Sequence, residues 1–179
     1  MIPKNFQLVY SQAQIAGQVA RLGAEISKWA EKVWSDEEQE ILTVPVLGGG
    51  IFFFADLVRS IGTSLEILPL KTWGYVGETN QALDEVKADI GEVKAKGRRV
   101  LLVDDICDSG RTLASLKRQF LAAGAAEVRS AVLLKRIMDK ETFDPDWIGF
   151  EHKGKEWFVG YGMDDRGHWR NLPSVFIIQ

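Results

Sequence analysis

Residues 99–105 read Arg99-Val100-Leu101-Leu102-Val103-Asp104-Asp105, with four apolar side chains followed directly by two carboxylates. Such a run is typical of a buried strand in a parallel sheet, because both faces of that strand are covered. The two carboxylates then lie at the carboxyl end of the strand, which is the edge where open α/β sheets bind their ligands. This stretch therefore predicts both an α/β fold and the place of a site.

Helices and strands alternate on both sides of this stretch. Ser11 and Gln14 form a predicted capping box at the start of a long helix, and residues 41–47 read as a second buried strand. A helix begins near Arg111, and residues 128–134 read as a further strand. The first helix carries an apolar stripe made of Ile15, Val19, Leu22, Ile26, Trp29 and Val33. The alternation predicts an α/β fold with a mostly parallel, twisted sheet flanked by helices.

The C-terminal part of the chain departs from this alternation. Residues 147–150, 156–160 and 175–178 read as strands with no helices between them. We predict that about 147–179 form a small hood over the sheet edge, with a contribution from the N-terminal segment left open. Because ~100–200 residues is usual for one domain, we expect residues 1–179 to form a single domain.

Composition excludes several classes of protein. The formal charge of -3 argues against a nucleic-acid coat, and the short basic run between Lys94 and Arg99 is most simply a solvated turn. The lone cysteine, Cys107, cannot form an intramolecular disulfide and favours a reducing compartment. No apolar run of about 18 residues is present, so we expect no membrane partner and a cytoplasmic location.

The loop after residues 99–105 has the residue types of a phosphate cradle. Gly110 allows a close approach of the backbone, Ser109 and Thr112 supply hydroxyls, and the following helix presents its amides. An ordinary N-capped helix would also explain Ser109 and Gly110. It would not explain the clustered carboxylates of Asp104, Asp105 and Asp108, which repel one another unless a cation or hydroxyl groups engage them.

Residues 100–112 closely resemble the phosphoribosyl pyrophosphate (PRPP) binding motif of type I phosphoribosyltransferases. Other segments narrow the resemblance to the hypoxanthine-guanine phosphoribosyltransferases. These segments are Leu47-Gly48-Gly49-Gly50 with Phe54-Ala55-Asp56-Leu57, then Leu133-Leu134-Lys135-Arg136, then 157–164, and finally Trp169-Arg170-Asn171-Leu172-Pro173. The resemblance implies a type I phosphoribosyltransferase core with a small C-terminal hood.

The resemblance also implies an activity, the transfer of the 5-phosphoribosyl group from PRPP to a 6-oxopurine, with release of pyrophosphate and with magnesium as cofactor. The expected products are IMP or GMP. The residues implied to bind PRPP are Asp104, Asp105, Asp108, Ser109, Gly110, Arg111 and Thr112 at the ribose and 5′-phosphate, and Leu47, Gly48, Gly49 and Arg170 at the pyrophosphate. Asp108 would also be the catalytic acid/base at the purine ring, and Asp104, Asp105 and Asp164 would hold magnesium.

Three further residues are implied to bind the purine. Lys135 would donate to the 6-oxo group, Trp157 would stack on the ring, and Phe158 would offer its backbone carbonyl. Without the resemblance, Lys135 would be read as a surface lysine and Trp157 as a core tryptophan. Thr72 and Trp73 would belong to a mobile lid over the site.

The pyrophosphate loop departs from the family pattern. Many relatives carry lysine where this chain has Gly48, so a charge is missing and the backbone amides of Gly48, Gly49 and Gly50 are expected to bind more of the anion. The resemblance also implies a cis peptide bond between Leu47 and Gly48.

Two other functions stay open on the sequence alone. A regulator built on the same fold could sense PRPP or nucleotides without catalysis, since fold does not determine function. An enzyme specific for xanthine or adenine is the second alternative. Relatives are commonly homodimers or homotetramers, and we expect the same here, with small-molecule substrates and no nucleic-acid partner.

Overall fold

A computed structural model describes residues 2–46, 48–69, 72–73, 87–88, 95–138 and 143–179. Of Glu37 and of residues 72–73 and 87–88 it describes the backbone alone. The helices are α1 (Gln12–Glu37), α2 (Ile51–Arg59) and α3 (Arg111–Ala122). The strands are β1 (Phe6–Tyr10), β2 (Ile41–Pro45), β3 (Leu65–Ile67), β4 (Thr72–Trp73), β5 (Lys87–Ala88), β6 (Arg99–Cys107), β7 (Glu127–Ile137), β8 (Trp147–Lys153), β9 (Trp157–Val159) and β10 (Val175–Ile178).

The main sheet has five parallel strands in the order β3-β2-β6-β7-β8. Its central strand is β6, whose Leu101 and Val103 lie in the core on one face while Val100 and Leu102 lie in the core on the other. Helices α1 and α2 pack in the first core and α3 packs in the second. The predicted α/β fold with a parallel sheet flanked by helices is therefore confirmed.

Helix α1 begins as its sequence predicts. The backbone N–H of Gln14 donates to Ser11 Oγ at 3.3 Å, and the Ser11 N–H donates to Gln14 Oε1 at 2.9 Å. This reciprocal capping box satisfies N–H groups that have no partner within the helix. All six residues of the predicted apolar stripe are buried. Among the described residues, no helix is long and apolar enough to cross a membrane.

The hood is a separate antiparallel sheet in the order β1-β10-β9. The N-terminal segment therefore forms one of its strands, with Phe6 opposite Ile178. The prediction that residues from 147 onward belong to the hood was wrong for β8, which pairs in parallel with β7 as an edge strand of the main sheet. Parallel neighbours are usually joined through a helix, and the sequence between β7 and β8 has no helical pattern to indicate such a crossover.

Strands β4 and β5 pair antiparallel, with Thr72 opposite Ala88 and Trp73 opposite Lys87. The predicted lid residues Thr72 and Trp73 thus form one strand of a two-stranded ribbon. Their side chains and residues 74–86 lie outside the described part of the chain, so the contacts of the lid stay a prediction.

Candidate active site at the carboxyl edge of the sheet

Asp104 and Asp105 lie near the end of β6, at the carboxyl edge of the main sheet. They are only 9% and 7% exposed. Asp104 Oδ1 accepts a hydrogen bond from the backbone N–H of Asp105 at 2.9 Å, and Asp105 Oδ1 accepts one from Ile106 N–H at 3.0 Å. Burial is the main cause that raises the pKa of both carboxyls, and the adjacent Asp105 charge raises the pKa of Asp104 further. Two adjacent buried carboxylates repel each other, so they suit a cation or hydroxyl groups.

Three glycines bring the loop after β2 against this acid pair. A Cβ on Gly49 would collide with the Asp105 carboxylate, and one on Gly50 would lie 2.7 Å from the Val46 carbonyl oxygen and 3.3 Å from Asp104 Oδ1. A Cβ on Gly162 would collide with the Gly49 carbonyl oxygen. Only glycine permits these close approaches, so the loop after β2, the acid pair and the loop after β9 meet at one point.

Gly48 has φ of 129°, which side-chain-bearing residues rarely adopt. This backbone conformation gives a physical reason for glycine at position 48. The neighbouring Leu47 lies outside the described residues, so its role and the cis bond to Gly48 stay predictions.

Arg170 joins the loop after β9 to the same point. Its Nη1 donates to the Gly162 carbonyl oxygen at 2.6 Å, and its Nη2 lies 2.6 Å from Asp164 Oδ1. The charge of Arg170 also lowers the pKa of Asp105, although burial of Asp105 outweighs it. Arg170 is therefore close enough to act on the acid pair electrostatically while it holds Asp164.

The predicted phosphate cradle lies between β6 and α3. Gly110 takes the N-cap position of α3 with φ of 72°, and a Cβ there would lie 2.5 Å from Phe143 Cβ. Because Gly110 has no side chain, the start of α3 has no side-chain cap from this residue. Ser109 Oγ lies 3.5 Å from the Arg111 N–H, at the long limit of a hydrogen bond. The role of this loop as a phosphate site stays a prediction, which the amides at the start of α3 are compatible with.

Asp108, the predicted acid/base, begins this loop and is mostly exposed. Its Oδ1 accepts a charge-assisted hydrogen bond from Nε of Arg136, which lies on β7. Arg136 is thus a partner that was not predicted from the sequence, although it directly follows the predicted Lys135.

The predicted purine-binding residues occupy β7 and β9. Lys135 is buried and its Nζ donates to Asp144 Oδ1 at 2.7 Å, so it is not an ordinary surface lysine. Trp157 is 61% exposed and its indole N–H donates to the Asp164 carbonyl oxygen at 2.8 Å, so it is not a core tryptophan. Phe158, next to it, is buried. An exposed indole ring can stack on another aromatic ring, and an amino group can donate to an oxygen acceptor. The role of these residues in binding a base stays a prediction.

Cys107 is the last residue of β6, directly before this loop, and it is buried. Burial raises its pKa to about 11, with the Asp104 charge as a second cause and the Lys135 charge acting in the opposite direction. Because the thiolate is the reactive form, this cysteine is a poor target for alkylation near neutral pH.

The acids at this edge fit a hard divalent cation in part. Asp104 and Asp105 supply carboxylate oxygens, which are the ligands that Mg²⁺ prefers, and Mg²⁺ sites commonly use one or two carboxylates together with substrate phosphates. Within the described ranges, no group of three or more His, Cys, Asp or Glu side chains could hold a metal ion. Asp164 is engaged by Arg170 rather than gathered with Asp104 and Asp105.

Sequence reasoning missed the partners of these residues. Asp144 neutralises Lys135, and Tyr161 donates its hydroxyl to Asp56 Oδ2 at 2.6 Å. The Tyr161–Asp56 bond ties the loop after β9 to α2. Burial raises the pKa of Tyr161, and the hydrogen bond to Asp56 raises it further. No local pattern indicates either pair, because the partners come from different elements of the fold.

Comparisons with known proteins agree with this geometry. Residues 14–166 match the family model described as a phosphoribosyl transferase domain. The chain belongs to this family. A hypoxanthine-guanine phosphoribosyltransferase of Aquifex aeolicus is 32% identical over 179 residues, which cover 98% of this chain and 96% of that protein. A hypoxanthine-guanine-xanthine phosphoribosyltransferase of Tritrichomonas foetus is 26% identical, covering 97% and 91%.

The fold is also that of solved phosphoribosyltransferases. A crystal structure of a hypoxanthine-guanine phosphoribosyltransferase from Bacillus anthracis, with a HEPES molecule in its active site, superposes with a TM-score of 0.78. The sequences are 29% identical, and the match covers 96% of this chain and 95% of that one. The resemblance inferred from residues 100–112 is therefore confirmed at the level of family and fold, and the chain is a phosphoribosyltransferase.

Proposed function

We propose that this phosphoribosyltransferase moves the 5-phosphoribosyl group of PRPP onto hypoxanthine or guanine, releases pyrophosphate and so salvages purines. The observation that carries the proposal is the meeting of Asp104–Asp105, Gly49–Gly50 and Arg170 at one sheet edge, directly before the Asp108–Thr112 loop. The names of the relatives support the purine base as acceptor.

Binding of PRPP is divided among these groups. Asp104 and Asp105 would accept hydrogen bonds from the ribose hydroxyls, and the residues from Ser109 to Thr112 would bind the 5′-phosphate with their hydroxyls and the amides at the start of α3. The pyrophosphate would lie against the backbone of the Gly48–Gly50 loop and the guanidinium of Arg170. An acidic protein can therefore bind a highly anionic substrate.

Magnesium is the cofactor that these acids favour. Asp104 and Asp105 would hold one ion and Asp164 would help to hold a second. When bound, magnesium would offset the negative charge that builds up on the departing pyrophosphate.

The purine would lie between β7 and β9. Lys135 would donate to the 6-oxo group, Trp157 would stack on the ring with a contact worth ~1–3 kcal/mol, and Phe158 would accept from the base edge through its carbonyl oxygen. Asp108 would exchange a proton with the ring nitrogen as bonding to the ribose changes. Because the sugar becomes oxocarbenium-like, the lid at Thr72 and Trp73 would exclude water from it.

An assay of four bases tests this function. Purified protein with PRPP and magnesium is given hypoxanthine, guanine, xanthine or adenine, and nucleotide formation is followed. We expect product with hypoxanthine or guanine and little with adenine, because the amino group of Lys135 cannot donate to a 6-amino group. No product with any base would favour the non-catalytic regulator. Product with xanthine alone or adenine alone would contradict the proposal that hypoxanthine or guanine is the acceptor.

A matched variant checks the base assignment. Lys135→Met removes the donor but keeps an unbranched side chain, and it should raise KM for hypoxanthine more than KM for PRPP. Equal changes in both KM values would indicate a general loss of structure at the site.

We further propose that residues 1–179 act as one domain, in the cytoplasm, as a homodimer or homotetramer. Ile51 and Phe52, exposed large apolar side chains on the first turn of α2, support an interface between copies. Light scattering after size-exclusion chromatography should give a mass of two or four chains, and a monomeric mass would contradict the proposal.

A further inference from the structure

Arg136 has an unusual set of partners at the end of β7. Its Nε donates to Asp108 Oδ1, its Nη1 donates to the Gly154 carbonyl oxygen at 2.6 Å, and its Nη2 donates to the Glu156 carbonyl oxygen at 3.1 Å. The centre of the guanidinium lies 4.9 Å from the centroid of the Phe158 ring. One side chain thus joins the loop after β6, the turn between β8 and β9, and the strand β9.

The two members of the Arg136–Asp108 pair differ in how firmly they are held. The Arg136 side chain is 12% exposed, whereas the Asp108 side chain is 56% exposed. A planar guanidinium that donates to two fixed backbone carbonyls and lies over an aromatic ring has little freedom left. Arg136 is therefore the rigid partner, and the orientation of the Asp108 carboxylate follows from it.

The bond to Asp108 is not needed to hold the turn between β8 and β9. The two backbone carbonyls already tie that turn to β7 through Arg136. On the far side of the turn, His152 Nε2 lies 3.1 Å from Glu156 Oε2, and the His152 ring meets the Phe158 ring edge-on with centroids 4.9 Å apart. The turn thus has several supports, while the Nε hydrogen bond acts on Asp108 specifically.

We propose that Arg136 is a positioning residue that orients the carboxylate of Asp108 relative to β9, the strand that would bind the edge of the purine. The inference rests on the proposed function, in which Asp108 exchanges a proton with the purine and the Phe158 carbonyl oxygen accepts from the base edge. Proton transfer requires a carboxylate within hydrogen-bond reach of the ring nitrogen, so its orientation matters for the chemical step rather than for capture of PRPP.

A double-mutant cycle tests this role. We expect Arg136→Met to lower kcat by about 10²-fold, the scale of a misplaced catalytic group, with KM for PRPP changed less than about 3-fold. In an Asp108→Asn background, the same substitution should change kcat by less than about 3-fold, because the group on which Arg136 acts is already disabled. A merely structural role would give equal losses in both backgrounds.

Two further variants keep the test decisive. Arg136→Lys retains the positive charge and the stem, so it covers the case in which the methionine variant does not fold, and it should lose about 10-fold in kcat by the same Asp108-dependent route. Arg129→Met is the control, because Arg129 lies on the same strand, pairs with Glu127 and lies over Trp29 and Trp147, yet is remote from the site. It should lower the melting temperature and leave kcat within about 2-fold of wild type.

The outcomes separate the inference from the proposed function. An unchanged kcat in Arg136→Met and Arg136→Lys, or equal losses with and without the Asp108 carboxylate, would overturn the inference while an active wild type upholds the function. Wild-type protein that forms no nucleotide would overturn both. A kcat loss that depends on Asp108, together with a near-normal KM for PRPP, would support the role of Arg136.

Discussion

The acids at the sheet edge are of two kinds. Asp104 and Asp105 are buried near the end of β6, and each accepts a hydrogen bond from the backbone N–H of the next residue. Asp108 and Asp164 lie in loops, and each pairs with an arginine, Arg136 for the first and Arg170 for the second. Burial raises the pKa of the first pair, whereas the loop acids have a guanidinium beside them.

This difference indicates a division of labour. Buried acids with uncompensated charge lower stability unless a cation or hydroxyl groups bind them, so they suit the sugar and the metal. Loop acids whose charge is balanced by an arginine avoid that cost. Asp108 therefore suits a directed proton transfer, and Asp164 suits the pyrophosphate end with its own magnesium ion.

The largest expected effect concerns the loop acid Asp108. Asp108→Asn should lower kcat by about 10²–10⁴-fold, because general acid–base catalysis contributes on that scale. Steady-state kinetics with hypoxanthine and PRPP measures it. Asp36→Asn, at an exposed acid near the end of α1, is the matched control and should leave kcat unchanged. An undiminished rate would remove Asp108 from its role.

A smaller loss is expected at the second arginine. Arg170→Met should lower kcat/KM for PRPP by about 10–100-fold, since hydrogen bonds to charged groups contribute ~1.5–3 kcal/mol. Arg166→Met, an exposed arginine of the same loop, should have little effect. A loss in Arg166→Met as large as that in Arg170→Met would show that the loop tolerates no substitution and that Arg170 has no specific role.

Substitution within the buried acid pair should increase the stability of the ligand-free protein. Asp104→Asn removes one of two adjacent buried charges, so the ligand-free protein should gain about 1–2 kcal/mol, or about 2–8 °C in melting temperature. Thermal unfolding by circular dichroism measures the change. Asp146→Asn is the control, because Asp146 accepts hydrogen bonds from the Ser130 N–H and hydroxyl, and it should lose stability. A destabilised Asp104→Asn would contradict the view that this charge is uncompensated.

The smallest effect is expected at Cys107, which lies between the two kinds of acid. Since its pKa is raised to about 11, the thiolate fraction rises with pH up to that value, and alkylation should speed up about tenfold per pH unit between pH 7 and 9. Asp104→Asn should raise the rate by about 2–5-fold, because a negative neighbour is removed. Mass spectrometry after iodoacetamide treatment measures both. Fast, pH-independent labelling would contradict the buried position of the thiol.

The features that were predicted correctly from the sequence are local ones. The capping box of Ser11 and Gln14 and the apolar spacing along α1 repeat within one or two helical turns. The run before Asp104 needs only burial on both faces to be recognised as a central strand. The family resemblance of residues 100–112 rests on one continuous segment.

The features that were not predicted depend on contacts between distant segments. The pairing of β8 with β7 follows a connection without a helical pattern, so alternation of elements misplaces it. Arg136 meets Asp108 and Tyr161 meets Asp56 only after the sheet and hood have assembled. The sequence does not indicate that Gly162 packs against the Gly49 carbonyl oxygen, an approach that leaves no room for a Cβ. Periodicity and turn chemistry do not report such partners, because they describe neighbours along the chain.

The binding of PRPP in the presence of magnesium tests the division of labour most directly. Calorimetric titration of wild type, Asp104→Asn and Asp108→Asn gives three dissociation constants under one condition. We expect Asp108→Asn to bind within about 3-fold of wild type and Asp104→Asn to bind at least about 10-fold more weakly, since it loses charge-assisted hydrogen bonds. If Asp104→Asn binds PRPP as tightly as wild type, or if Asp108→Asn loses as much affinity as Asp104→Asn, the assignment of the buried acids to PRPP binding and of Asp108 to proton transfer is wrong.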